Sequence, residues 1–88
     1  MNNNNSYRAV ILKNTPACEF TCSYASSIGV AMSNAYPVLG GMAFALYHGT
    51  VAVEIRRYRG DKLMALESRT QFVMGGGQFE QVSKAEAP

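Results

Sequence analysis

The chain has no tryptophan, one histidine and two cysteines, and each scarcity closes off a class of chemistry. A single histidine, His48, leaves no imidazole pair for proton shuttling or for a multi-histidine metal centre. Cys18 and Cys22 are too few for the disulfide frameworks that stabilise small secreted domains. Their spacing is not that of a zinc ribbon or finger, and adding His48 and Glu19 still makes a poor ligand set. There is no G-x-S-x-G element, and neither Gly40-Gly41 nor the glycines at 75–77 carry the lysine and hydroxyl of a phosphate loop. A Cys22–His48 dyad would have no carboxylate placed to orient it. The expectation is a chain that is not an enzyme, with no catalytic residues, no metal and no cofactor.

Charge is also in short supply. Charged residues make up 16% of the 88-residue chain, below the usual quarter, and none lies between Phe20 and Val53. Glu54, Arg56, Arg57, Arg59, Asp61 and Lys62 then follow closely. A neutral run before a basic flank suits a membrane span near 28–47 with a cytoplasmic flank. Ser33, Asn34, Pro37, Gly40 and Gly41 interrupt that window, however, so a membrane-associated protein is only the third-ranked reading. Met1–Ser6 shows no basic segment leading into an apolar run, and the cytoplasm is the expected compartment, with both thiols reduced. The net charge of +2 neither requires nor excludes nucleic acid. A chain of this length forms one domain with a thin stability margin, and self-association would cover its excess apolar surface.

What remains is a pattern of periods. "YRAVILKN" from Tyr7 is a β-rich apolar run that ends before Pro16 and predicts a buried strand. Tyr24, Ile28, Ala31, Met32 and Ala35 recur at three and four and predict an amphipathic helix over 23–36, capped by Thr21 or Ser23 and stopped at Pro37. A turn at His48-Gly49 would pair Leu46 with Val51, Phe44 with Val53 and Met42 with Ile55, an apolar face on both strands. A second turn at Gly60-Asp61 sets Arg59 against Lys62, Tyr58 against Leu63 and, less favourably, Glu54 against Glu67. The Arg59-Gly60-Asp61 tripeptide has an adhesive precedent, but Gly-Asp is what a hairpin turn asks for. The 75–77 glycines read as a flexible break, followed by a short edge strand through Phe79 and Val82. The fold class is α+β: one helix packed in a second layer on a four- to five-stranded, mainly antiparallel sheet, in the order β-α-β-β-β with a short last strand. The domain is placed at 7–82, between a disordered Asn-rich start (1–6) and a disordered tail (83–88).

The working surface follows from the alternation. Tyr47, Glu54, Arg56 and Tyr58 are expected on the outer sheet face, with Arg57, Arg59 and Lys62 towards the turn. Arginine and tyrosine are the side chains that most often dominate protein interfaces. The leading expectation is a non-catalytic interaction or regulatory module, accessory or inhibitor-like, that binds an unidentified protein and forms a homo-oligomer. The alternative is a nucleic-acid-binding module that applies the same arginines to phosphates and the tyrosine to a base.

Overall fold

A computed structural model of the chain describes residues 5–14 and 17–86, with 84–86 described by backbone alone. The elements are β1 (Ser6–Asn14), β2 (Ala17–Thr21), α1 (Ile28–Phe44), β3 (Gly49–Arg59), β4 (Lys62–Gly75) and β5 (Gln78–Glu86). The strands form one antiparallel sheet in the order β2-β1-β3-β4-β5. One helix on one sheet is the α+β class expected from the sequence, but the chain order is β-β-α-β-β-β. The added strand is β2, an exposed edge over "ACEFT". The expected N-terminal segment 1–6 lies outside the described residues except for Asn5 and Ser6, and Pro16 lies outside them as well. At the other end β5 continues to Glu86, past Val82, where the sequence pattern ended the domain.

The helix starts later and ends later than its sequence pattern suggested. Ser27, in extended conformation, is the N-cap, and its Oγ accepts from the Val30 amide at 3.2 Å; Thr21 and Ser23 do not cap it. Ala31, Ala35, Leu39 and Ala43 are buried at strict four-residue intervals, so one stripe of mostly small side chains faces the sheet. That stripe carries the helix through Pro37 and through Gly40-Gly41. A mid-helix proline costs roughly 3 kcal/mol and each glycine about 1 kcal/mol against alanine. Burial of the stripe offsets these costs, as it does for most helices in folded proteins. Among the described residues no helix is long and apolar enough to cross a membrane.

The hairpin expected between 42 and 55 does not form, because Met42 and Phe44 belong to the helix. The apolar face of β3 pairs instead with β1: Ala9 with Ile55, Ile11 with Val53 and Lys13 with Val51. The Gly60-Asp61 turn forms as expected, with Arg59 opposite Lys62 and Tyr58 opposite Leu63. Two β-bulges then shift the register, one between Arg57 and Tyr58 and one between Ile55 and Arg56. Each inserts one extra residue into β4, and together they bring Arg69, not Glu67, opposite Glu54. The like-charge pair is thereby replaced by an attractive one. The 75–77 glycines are a tight turn, not a flexible break: Gly76 and Gly77 have φ of +63° and +78°, the signs that a type I′ hairpin requires at both central residues.

The core lies between α1 and one sheet face, and its largest fully buried members include Phe72, Ile11, Leu39, Ile55 and Met74. Tyr36 of α1 reaches across β4 and β5, with ring centroids 6.5 Å from Phe72 and 6.4 Å from Phe79. The 14 residues of β4 span roughly 46 Å at about 3.3 Å per residue. That length accounts for the longest molecular dimension, 48 Å; because α1 packs on one side of the sheet only, the other face is uncovered.

Candidate interaction surface

The uncovered face is set by alternation from the core residues. Ala9, Ile11, Val51, Val53 and Ile55 point towards α1, so Arg8, Glu54, Arg56 and Tyr58 point away. Both bulges preserve this for the hairpin arm, because Leu66 pairs with Arg56 and Leu63 with Tyr58. Leu63 and Leu66 are exposed there, and Met64, the extra residue of the bulge between Arg57 and Tyr58, is exposed on the same arm.

Two clusters organise the face. In the first, Glu54 Oε1 accepts from Arg56 Nε at 3.0 Å and Nη2 at 2.8 Å, while Oε2 accepts from Arg69 Nη1 at 2.6 Å. The Glu54 side chain is 14% exposed, so both carboxylate oxygens are engaged in a site of reduced solvent access. For Arg56 the burial by itself disfavours the charged form, but the hydrogen bond to Glu54 and the neighbouring Tyr58 hydroxyl outweigh it and move its pKa up. Beside this cluster Val10 and Ala52 are buried although they lie on the same face, as happens when long polar side chains fold over small apolar ones.

In the second cluster the Arg8 guanidinium stands 3.8 Å from the Tyr24 ring centroid and 5.7 Å from that of Tyr58, and the two rings meet edge to face at 5.3 Å. Arg8 Nε also donates to the Cys22 carbonyl at 2.9 Å. Arg8 and Arg56 are direct cross-strand partners, a repulsive arrangement if both pointed at one place. Their charges are drawn to different partners: Arg8 to the tyrosines, Arg56 to Glu54.

Three of the expected site residues, Glu54, Arg56 and Tyr58, therefore share the uncovered face. Arg59 and Lys62 are exposed at the hairpin tip. Arg57 alternates to the other side, where its Nε lies 2.8 Å from Glu67 Oε2; its N–H is not aligned for a hydrogen bond, so the contact is an ion pair. Tyr47 is not on the sheet face. It sits in the connection between α1 and β3, packs against the core, and takes Lys13 Nζ 4.7 Å from its ring. Arg8, Tyr24 and Arg69 belong to the surface and were not anticipated. Pairing across β1 and β3 joins residues far apart in the chain, and no local period signals it.

Cys18 is exposed and Cys22 buried. Burial raises the Cys22 thiol pKa, and the positive charge of Arg8 partly opposes that. They lie on and just after β2, not on one helix face. No group of three or more potential metal ligands occurs among the described residues. No protein-family model matches the chain, and comparison with curated proteins and with solved structures likewise gave no match.

Proposed function

We propose that this chain is a non-catalytic interaction module that binds a protein partner through the uncovered sheet face and the β3–β4 tip. The observation that carries this reading is how the cations are used. Arg56 and Arg69 are held by Glu54, Arg57 by Glu67, and Arg8 by tyrosine rings. A phosphate-binding surface needs guanidinium groups free to neutralise a polyanion. Here most of them are committed within the chain, and the arm adds exposed Leu63, Met64 and Leu66 beside Tyr58, Arg59 and Lys62. Apolar anchors mixed with tyrosine and arginine are the composition of protein interfaces.

Self-association is part of the same reading. The helix carries no charged residue, and Val30, Phe44 and Leu46 are exposed at or just beyond it, Phe44 by 90%. An uncharged face can meet its own copy without repulsion.

The test is affinity capture from a lysate of the source cells, with and without nuclease, using the native chain and an Arg59→Glu/Leu63→Asp/Leu66→Asp variant. Proteins that are retained after nuclease treatment and lost with the folded variant support the reading. Capture that disappears with nuclease gives the surface to nucleic acid, and capture by the variant at native levels removes the hairpin arm from it.

A further inference from the structure

β2 ends the sheet, and all five of its residues are exposed. Its pairing with β1 fixes which backbone groups face outward. The Cys22 amide donates to the Ala9 carbonyl at 2.9 Å, one position beyond the Val10–Thr21 pair. In an antiparallel ladder, residues bonded to the neighbour alternate with residues whose N–H and C=O point away from it. Phe20 and Cys18 therefore bond to β1 as Cys22 does, and Ala17, Glu19 and Thr21 direct their amides and carbonyls to the open edge. The paired Tyr7–Ala25 bonds, 2.9 and 2.7 Å, keep the same alternation along β1.

Side chains alternate as well. Phe20 lies opposite Ile11 and Cys18 opposite Lys13, so both stand on the α1 side of the sheet. The helix packs mainly on β1, β3 and β5, and a groove runs between it and β2. Two cavities make up the groove, both lined by Phe20 and Val38. One, of about 330 Å³, extends to Thr21, Cys22 and Asn34; the other, of about 120 Å³, extends to Cys18 and Met42. Lys13 is the one charged residue lining either, and its ammonium is turned to the Tyr47 ring. Phe20 itself is 51% exposed. A strand that is only guarded against pairing shows charge or proline where a partner would pack, not a half-exposed phenylalanine beside apolar cavities.

We infer that the β2 edge binds an extended segment of another protein as an added antiparallel strand of the pattern aromatic–basic–aliphatic. An open row of backbone groups recognises an extended chain: main-chain bonds hold it and pockets for alternate side chains select it. The residue opposite Glu19 exchanges both backbone bonds with it and stands on the uncovered side. A lysine or arginine there meets the Glu19 carboxylate, which has no ion pair among the described residues. Its two neighbours enter the groove, an aromatic ring beside Phe20 in the larger cavity and a short aliphatic chain beside Cys18 in the smaller. A second copy of β2 fits less well. Pairing that engages all three outward-facing residues sets Ala17 against Thr21 and Glu19 against its own copy, a repulsive like-charge pair. The edge is separate from the Glu54 cluster and the hairpin tip, and the two assignments stand or fall separately.

The experiment is an amide NMR titration of the full chain with the peptide acetyl-Ser-Thr-Phe-Lys-Val-Thr-Ser-amide, read by chemical shift and by hydrogen exchange. Saturable shifts are expected along β2 and at Val38 and Met42. The Glu19 and Thr21 amides, which face solvent in the free chain, should become protected, while those of Phe20 and Cys22, already bonded to β1, change little. Methylating the backbone nitrogen of the peptide lysine removes its bond to the Glu19 carbonyl and should weaken binding about tenfold. Replacing that lysine with glutamate should weaken it about fivefold, and Glu19→Lys, a change at an exposed position, should reverse the order of these two peptides. The inference is overturned if no peptide moves these amides, if the methylated peptide binds as tightly as its parent, or if the Glu19→Lys chain keeps the native order. Protection of the same amides that rises with protein concentration, without peptide, gives the edge to a second copy and overturns the choice of occupant.

Discussion

Glu54→Gln is the sharpest probe of how the uncovered face is held together. The substitution keeps the shape of the side chain and turns one of its two oxygens into an N–H donor. Whichever way the amide turns, one guanidinium then meets a donor where it met an acceptor. If Arg56 keeps the oxygen, Arg69 loses a 2.6 Å charge-assisted bond. Hydrogen bonds to charged groups contribute roughly 1.5–3 kcal/mol. The Arg69 side chain, 42% exposed, can turn to water and recover part of this, which holds its share near the low end. The weakened attraction on Arg56, whose side chain is 24% exposed, adds to it. The expected loss is about 2 kcal/mol, a large part of the stability of a small domain, which is about 5–15 kcal/mol. With a urea m-value of about 1 kcal/mol/M for a chain this short, the unfolding midpoint falls by about 2 M. A double-mutant cycle with Arg69→Met isolates the pair and should return a coupling of about 1 kcal/mol, at the top of the range for exposed ion pairs. An unfolding midpoint for Glu54→Gln within 0.5 M (about 0.5 kcal/mol) of the native one, or a coupling of zero, would refute the reasoning. The cluster would then be ordinary surface charge.

Three further outcomes follow from the packing. Ala35→Leu, at a fully buried position of the helix stripe, forces α1 off the sheet and should cost about 1–3 kcal/mol, read as a lower thermal midpoint. Leu46→Gly should stabilise the fold by about 1 kcal/mol in urea denaturation, because Leu46 has φ of +64°, a conformation that costs a β-carbon-bearing residue roughly 1–2 kcal/mol. Cys18 should react with a thiol reagent in the native state, while Cys22 reacts only on unfolding. Because burial raises the Cys22 pKa above its unfolded value of 9.0, the folded chain holds that proton longer. The associated stability is present below pH 9 and lost as pH rises through the folded pKa. Unfolding midpoints above pH 9 should therefore fall more steeply for the native chain than for Cys22→Ala.

The residues most visible in the sequence were those whose local period had one meaning. "YRAVILKN" and 50–59 could be little but strands, and Gly60-Asp61 little but a turn. Residues 42–46 satisfied two periods at once. Met42, Phe44 and Leu46 alternate like a strand, while Ala43 completes the four-residue repeat of Ala31, Ala35 and Leu39. Proline and two glycines favoured the wrong choice, since their intrinsic cost argues against a helix that only tertiary burial sustains. The candidate surface divided in the same way. Glu54, Arg56 and Tyr58 could be placed on one face by alternation alone. Arg8, Tyr24 and Arg69 could not, because they arrive from other strands and from the loop before α1.

By itself, then, the sequence determined the composition of the layers: an uncharged, alanine-bearing segment that has to be buried, and β-rich segments with one apolar side. Those properties act over a few residues and are carried by side-chain size, charge and hydropathy. Strand partners, register and helix limits were decided by the tertiary structure. β1 displaced the neighbouring segment as the partner of β3, two bulges exchanged Glu67 for Arg69 opposite Glu54, and the sheet drew α1 through Pro37. Each depends on contacts between residues distant in the chain, and their free energy outweighs local preferences of about 1–3 kcal/mol.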